Sequence, residues 1–273
     1  MEKYSVLMSL YIKEKPEYLR TAIQSIVDQT YAPDEIVIVK DGLLTAELQS
    51  VLDGFSEKYP KLFNIVGYEK NRGLGLALNF GLAHCRNELV ARMDTDDIAK
   101  SDRCEKQIKA FKENSLLEIV GGDISEFVDT EDNIVAYRRV PKEDKAIKEH
   151  LKIRCPLNHV SVMYKKSAVL SAGGYLDLFW NEDYYLWIRM AENGANMANT
   201  GTVLVNVRTG ADMYKRRGGK KYFASEKFLQ KYMLEHKIIG HGTYLMNVCK
   251  RFIVQILLPN GLRGWVFKKF ARK

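Results

Sequence analysis

Apolar and polar positions follow one rhythm over the first hundred residues and another near the end of the chain. Ser5-Val6-Leu7-Met8-Ser9-Leu10 is a continuous apolar run, the pattern of a strand buried on both faces of a parallel sheet. Pro16 suits the first turn of a helix. Tyr18, Leu19, Ala22, Ile23, Ile26 and Val27 then recur with helical period, which predicts an amphipathic helix over 16–29. A second strand is predicted at 35–39, closed by Lys40-Asp41-Gly42, then a helix over 45–58 and a third strand at 63–66. The loop Asn71-Arg72-Gly73-Leu74-Gly75 leads into a helix through Leu76, Leu78, Phe80 and Leu82, and a fourth strand is predicted at 89–93. Strands alternating with helices at this spacing imply an α/β fold with a mostly parallel central sheet and helices on both faces. Ligands of such sheets bind beyond the carboxyl ends of the strands. Ser9-Leu10-Tyr11, Lys40-Asp41-Gly42 and Asp94-Thr95-Asp96 all fall at predicted carboxyl ends, which points to one shared site.

Farther on, the pattern predicts a helix over 102–113, strands at 119–122 and 133–140, a helix over 142–151 and a strand at 161–164. A helix start and the turn Ala172-Gly173-Gly174-Tyr175 follow, then a helix over 184–192 and one or two short strands within 197–208. From about Gly218 the character changes. Phe228, Leu229, Tyr232 and Met233 mark one amphipathic helix, and Leu245, Val248, Phe252, Ile256 and Leu257 another. Pro259-Asn260-Gly261 breaks the pattern before a basic, aromatic end at 262–273. The division expected is therefore an α/β domain at 1–215 and a basic amphipathic helical tail at 216–273, either a membrane-surface element or helices packing back on the domain with a solvated basic face.

Charge sharpens that division. The chain of 273 residues is 46% hydrophobic and carries a formal net charge of +8. From 236 to 273 there are eight Lys or Arg and no Asp or Glu, so the other 235 residues balance at 34 basic against 34 acidic. The whole excess lies in the tail, a local binding feature rather than a property of the fold. No apolar run approaches the ~20 residues that span a bilayer. Met1-Glu2-Lys3-Tyr4 runs straight into a strand, with no signal-peptide pattern. Cys85, Cys104, Cys155 and Cys249 are scattered without zinc spacing, as expected of reduced cytosolic thiols.

The candidate chemistry begins at Arg92-Met93-Asp94-Thr95-Asp96-Asp97. Three carboxylates in four positions repel one another, and a hard divalent cation relieves that repulsion. A solvated acidic loop capping the next helix, with Asp97 as the cap, fits the same residues. An EF-hand loop starting at Asp94 fails, because Ala99 stands where glycine is needed. An aspartyl-phosphate site would continue with Gly and Thr rather than Asp97-Ile98. Asp41 suits either a turn or a contact to a base or ribose. Tyr11 could stack on a base or sit half-buried in the core. Glu182-Asp183 abuts an aromatic helical segment and suits either a general base or a favourable helix N-terminus. His159 precedes a strand, where histidine is usually structural.

These motifs, in order, resemble family 2 glycosyltransferases of the bacterial surface-polysaccharide type, inverting enzymes of the GT-A fold. The likeness runs through Ser5 to Tyr11, Tyr18-Leu19 with Ala22-Ile23 and Gln29-Thr30-Tyr31, Val39-Lys40-Asp41-Gly42, Asn71-Arg72-Gly73-Leu74 and Asn79. It continues through Asp94-Thr95-Asp96-Asp97, Asp102-Arg103, Glu182-Asp183 and Trp187 with Arg189. Lys40 departs from the family, which commonly has a second Asp there. The resemblance implies a hexosyltransferase using Mn2+ or Mg2+, with Asp96 the direct metal ligand and His159 a further contact to metal or diphosphate. Ser9, Tyr11, Asp41, Arg72 and Asp94 would bind the nucleotide-sugar donor. Asp183 would be the catalytic base and Glu182 its orienting partner. The acceptor implied is a lipid-linked saccharide, reached at the inner face of the cell membrane, with the tail on the anionic membrane surface. A nucleic-acid-binding protein with a basic arm would show a charge excess in the core, and none is present. A nucleotidyltransferase would want a glycine-rich loop after the first strand, where Tyr11-Ile12-Lys13-Glu14 stands. The sequence leaves the oligomeric state open.

Overall fold

The computed structural model describes residues 2–210 and 218–259. Four strands, β1 (Tyr4–Leu10), β2 (Glu35–Asp41), β3 (Phe63–Tyr68) and β4 (Leu89–Met93), are parallel, in the order β3-β2-β1-β4. Their crossovers are α1 (Pro16–Val27), α2 (Ala46–Lys58) and α3 (Leu74–His84). Thr45 caps α2 by accepting from the Leu48 amide. The alternating side chains of β1 feed two cores. Val6, Met8 and Leu10 join one with α1 and α2, while Leu7 joins the other with Ala77, Leu78 and Leu82 of α3. That is why the strand reads as an unbroken apolar run.

The sheet continues through β5 (Ile98–Ala99), β6 (Leu117–Phe127), β7 (Ile134–Arg138), β8 (Met163–Lys165) and β9 (Asn196–Arg208). Beyond β4 the order is β8-β6-β9-β5, with β7 on the side of β6 and β8 antiparallel to both neighbours. Helices α4 (Arg103–Glu113), α5 (Asp144–Leu151), α6 (Lys166–Ser171) and α7 (Glu182–Glu192) cover it. Here the expected boundaries shift most. Gly121-Gly122 reads as a strand end, yet β6 runs on to Phe127. A Cβ on Gly121 would meet Asn199 Oδ1 at 2.4 Å, and one on Gly122 would meet Leu204 Cδ1 at 2.5 Å. The missing side chains admit β9 at close range rather than ending the strand. For the same reason 196–208 is one long strand shadowing β6, not two short ones. Ser161 and Val162 do not open β8. His159–Ser161 form a 3-10 turn in which the Ser161 amide bonds the Asn158 carbonyl at 2.8 Å, and the strand starts at Met163.

Two further helices follow, α8 (Lys220–Glu235) and α9 (His241–Phe252), the latter passing into a π-helical turn at Ile253–Leu257. Leu229 and Met233 of α8 are fully buried with Trp187 and Tyr184 of α7. Asn247 of α9 is buried and donates to the Lys152 carbonyl and Gln230 Oε1. The first part of the tail therefore closes the core. The basic aromatic end at 262–273 lies outside the described residues, as does the expected boundary near 215.

Candidate active site

β4 ends where Arg92 enters the acidic loop. Its guanidinium is buried, 1% exposed, and it pairs with Asp94, while its Nε and Nη1 have no hydrogen-bond partner among the described residues. The strand end is held from behind. Arg103, also buried, donates to the Arg92 carbonyl at 2.6 Å and to Gln107 Oε1 at 3.2 Å. Gln107 in turn ties the Val120 and Ser161 carbonyls. The Asp102-Arg103 motif is thus a clamp on the loop's entry, and Asp102, not Asp97, is the cap residue of α4.

Carboxylate oxygens of Asp94, Asp96 and Asp97 lie within 4.8 Å of one another, the one such group of potential metal ligands among the described residues. Asp97 is buried and accepts from the Arg208 amide at 2.8 Å. Burial and the neighbouring charges of Asp94 and Glu14 push the Asp96 carboxyl up to about 7, and burial with Asp96 raises Asp97 well above the usual carboxylate range. Carboxyls driven toward protonation by one another are the donor set that a divalent cation satisfies, so these residues fit the metal expected. Glu14 was not anticipated. It reaches back from the loop after β1 to accept from Thr95 Oγ1 at 2.9 Å. Arg208, also unanticipated, donates through Nε to the Asp96 carbonyl at 3.2 Å and stacks on Tyr18 at 3.8 Å. Neither carries a local motif; only the β9 pairing and the return of the β1 loop bring them in.

The other expected site residues take their places around this loop. Ser9, half-buried, accepts through its carbonyl from Thr95 Oγ1 at 3.5 Å, and Tyr11 stands exposed just beyond it. Asp41 is buried and accepts from the Arg72 amide at 2.7 Å, from the Gly73 amide at 3.1 Å and from Asn71 Nδ2 at 2.9 Å. It fastens the 71–73 loop to the end of β2. Arg72 is exposed, its guanidinium 4.6 Å from the Tyr68 ring centre. Asn79 takes a structural part: its Oδ1 accepts from the Tyr175 amide at 3.2 Å. Arg189 holds the Ala172 and Gly174 carbonyls of the same turn, where Gly174 has φ +67°.

His159 is hydrogen-bonded through Nε2 to the Tyr175 hydroxyl at 3.1 Å and packs edge-on against Trp187. It stands in the wall behind the loop and is not one of the three clustered ligands. Burial and the Arg92 charge hold its pKa well below the ordinary histidine value, so the ring is neutral near pH 7.

Glu182 and Asp183 open α7 and face different surroundings. The Cβ of Glu182 lies so near Gly75 that a Cβ there would come within 3.3 Å. Burial and the Asp183 charge push Glu182 up to about 7, while Arg92 and Asp94 also act on it, so it belongs to the acidic side. Asp183 accepts from the Tyr184 amide at 2.7 Å and lines a separate cavity of about 420 Å³ between α7, α8 and α9.

A parallel sheet with a carboxylate loop at the end of its fourth strand, and an acidic pair opening a later helix, is the arrangement of GT-A glycosyltransferases. The family model described as Glycosyl transferase family 2 matches residues 5–170. An uncharacterized glycosyltransferase of Haemophilus influenzae is 45% identical over 99% of this chain and 100% of its own length. An Escherichia coli protein named UDP-Gal:alpha-D-GlcNAc-diphosphoundecaprenol beta-1,3-galactosyltransferase is 38% identical over 99% and 97%. The amylovoran biosynthesis glycosyltransferase AmsE of Erwinia amylovora is 40% identical over 97% and 98%. Among solved structures, S. aureus TarS 1-349 in complex with UDP-GlcNAc has a TM-score of 0.65 at 15% identity, covering 92% of this chain and 72% of that one. PcManGT, a mannosyltransferase from Pyrobaculum calidifontis in complex with GDP-Man and Mn2+, has a TM-score of 0.59 at 16% identity, covering 98% and 75%. The chain belongs to glycosyl transferase family 2 and is a glycosyltransferase with the GT-A fold.

Proposed function

We propose that the protein moves a sugar, with inversion, from a nucleoside diphosphate donor of the UDP-sugar type to a hydroxyl of a lipid-linked saccharide. The observation that carries this reading is the meeting of the Asp94-Asp96-Asp97 cluster with Glu182 near the buried Arg92, with Asp183 next to Glu182 at the start of α7. Asp96, with Asp94, would hold Mn2+ or Mg2+. The metal supplies charge neutralisation for the departing diphosphate. Arg92 adds a buried positive charge to that side, with two nitrogens not engaged by the described residues. Asp41, with Arg72 and Tyr11 beside it, offers the nucleoside a carboxylate edge, an exposed guanidinium and an exposed ring at the strand ends. Ser9 sits at the same edge. His159, neutral, supports Tyr175 and the wall behind the diphosphate. Glu182 keeps its proton up to about 7 and so serves as a hydrogen-bond donor near neutrality. Asp183 is the base: it takes the proton of the acceptor hydroxyl as that oxygen attacks the anomeric carbon.

The acceptor class is supported by the relatives, one named for a diphosphoundecaprenol-linked acceptor and one for amylovoran biosynthesis. No described helix is long and apolar enough to cross a membrane. Leu245, Phe252, Ile253 and Leu257 are nonetheless exposed on α9 and its π turn, beside exposed Lys250. That combination suits a helix lying on an anionic surface, and the site of action proposed is the inner face of the cell membrane. A screen of UDP-sugars for metal-stimulated UDP release tests the donor class. Release that requires Mn2+ or Mg2+ with at least one sugar supports it, and no release with any nucleotide sugar refutes it.

A further inference from the structure

The carboxylate loop is gripped by an arginine at each end. Arg103 holds the entry through the Arg92 carbonyl. Arg208, the last residue of β9, holds the exit at two consecutive residues. Its backbone amide donates to one oxygen of the Asp97 carboxylate at 2.8 Å, and its Nε donates to the Asp96 carbonyl at 3.2 Å. The rest of the guanidinium is held from other parts of the fold. Nη1 donates at 3.1 Å to the carbonyl of Asp129, which stands at φ +61° in the turn after β6. The guanidinium carbon lies 3.8 Å from the centre of the Tyr18 ring and 4.6 Å from that of Phe127. Tyr18 belongs to α1 and Phe127 ends β6, so α1, the loop, the end of β6 and β9 meet on one side chain. Thr209, next in the chain, donates to the Phe127 carbonyl through its amide at 2.9 Å and its hydroxyl at 3.1 Å.

We infer that Arg208 is a positioning residue for the metal ligands, one that holds the loop in the arrangement that receives the cation. The inference rests on the reading of this loop as a metal and diphosphate site, and it adds the residue that sets the loop's shape. Three observations carry it. Arg208 treats its two neighbours differently: it commits one carboxylate oxygen of Asp97 to the fold, but holds Asp96 by the main chain, which leaves the Asp96 carboxylate to the cation. Three carboxylates within 4.8 Å of one another repel, so an untied loop would spread. The guanidinium is a planar fork that donates to two carbonyls while lying against aromatic rings, which an ammonium group cannot do. Ligands ordered beforehand bind a cation more tightly, because binding then carries less ordering cost. If the fraction of protein with a competent loop falls to about one-tenth, apparent affinity falls about tenfold.

The test is calorimetry of UDP with excess Mn2+ on the full-length protein, joined by amide hydrogen exchange of residues 94–97 without metal. Arg208→Met keeps a long side chain but removes the donors and the charge. It should weaken Mn2+-dependent UDP binding about tenfold and speed exchange in the loop about tenfold, as one shared ordering equilibrium requires. Turnover of a UDP-sugar at saturating donor and Mn2+ should stay within about twofold of wild type, because a loop ordered by saturation is the same loop. Arg208→Lys should behave as Arg208→Met does. Tyr18→Leu should weaken UDP by about two- to fivefold, and Tyr18→Phe, which restores the ring, should recover the loss. Leu229→Ala, which removes a buried contact between α8 and α7, should lower the melting temperature without changing either loop readout. Wild-type affinity in Arg208→Met overturns the inference. A fall in saturated turnover as large as the fall in affinity overturns it, as does an equal loss of UDP affinity in Leu229→Ala, since either makes Arg208 an ordinary part of the fold. If Arg208→Met does not fold, the Tyr18 pair decides by the same readouts. Mn2+-dependent UDP binding that Arg208→Met retains sinks this inference alone; its absence from the wild type sinks the metal reading and this inference with it.

Discussion

The two sides of the α7 N-terminus are built from opposite charges and by opposite means. On the acidic side Asp94, Asp96 and Asp97 are neighbours in sequence, delivered by one strand end and clamped there by Arg103. On the basic side Arg138, Arg154, Lys250 and Arg251 are drawn from distant segments and meet only because α8 and α9 close over the core. Glu182 faces the first and Asp183 the second, one residue apart. A transferase needs such a boundary: the leaving group wants cations and the acceptor wants a base, and the two must not neutralise each other.

The sharpest way to break the comparison is to strike each side separately. Asp183→Asn should lower the transfer rate by about 10²–10⁴-fold and leave UDP affinity near wild type, because a base acts on the acceptor. Near-normal turnover would move the base elsewhere. Asp96→Ala should do the reverse in binding. It should lose metal stimulation and weaken UDP by at least the roughly 10–100-fold that supporting partners of a metal site cost, measured by calorimetry with Mn2+. Unchanged metal-dependent affinity would remove Asp96 as the ligand.

How much of this was legible in the sequence follows the same divide. The parallel half was readable because each strand is a short apolar run and each crossover helix has a 3.6-residue period; β4 starts and stops where the pattern says. The acidic loop and the Glu182-Asp183 pair are contiguous, so composition alone marked them. Glu14 and Arg208 were not readable, since each reaches the loop through tertiary pairing with nothing distinctive beside it. β6 and β9 were underestimated because Gly121-Gly122 looks like a stop until the close approach of Asn199 and Leu204 is seen. The basic cavity was invisible for the strongest version of that reason. Lys250 and Arg251 read as part of the charge excess of a basic tail, yet they meet Arg138 and Arg154 from the body of the fold.

Stability tests sharpen the dual character of the C-terminal helices. Leu229→Ala should cost about 2–5 kcal/mol in urea unfolding, because the side chain is fully buried against α7. A cost near zero would mean that α8 is an appendage. Leu257→Ser, at a position 60% exposed, should change stability by no more than about 0.5 kcal/mol yet reduce sedimentation with anionic vesicles. Undiminished sedimentation would remove this face as the membrane contact.

The smallest expected effect concerns pH. Glu182 sits at about 7 in the fold against 4.5 for its ordinary value, so the folded state holds a proton that the unfolded chain gives up earlier. Its stabilising contribution is complete below about pH 4.5 and is lost as pH rises toward 7. In metal-free protein, melting temperature should therefore fall across that window, and Glu182→Gln should make the fall shallower. Asp96 and Asp97 shift in the same direction, so some slope remains in the variant. An identical slope in Glu182→Gln would place the proton elsewhere.

The central claim is that the carboxylate loop binds a nucleoside diphosphate through a divalent cation while Asp183 stands apart from that binding. Calorimetry of UDP with and without Mn2+ on the wild type, Asp96→Ala and Asp183→Asn tests it most directly. The account predicts metal-dependent binding in the wild type and in Asp183→Asn, and its loss in Asp96→Ala. Equal UDP binding by the wild type after chelation, or a loss in Asp183→Asn as large as that in Asp96→Ala, would contradict it.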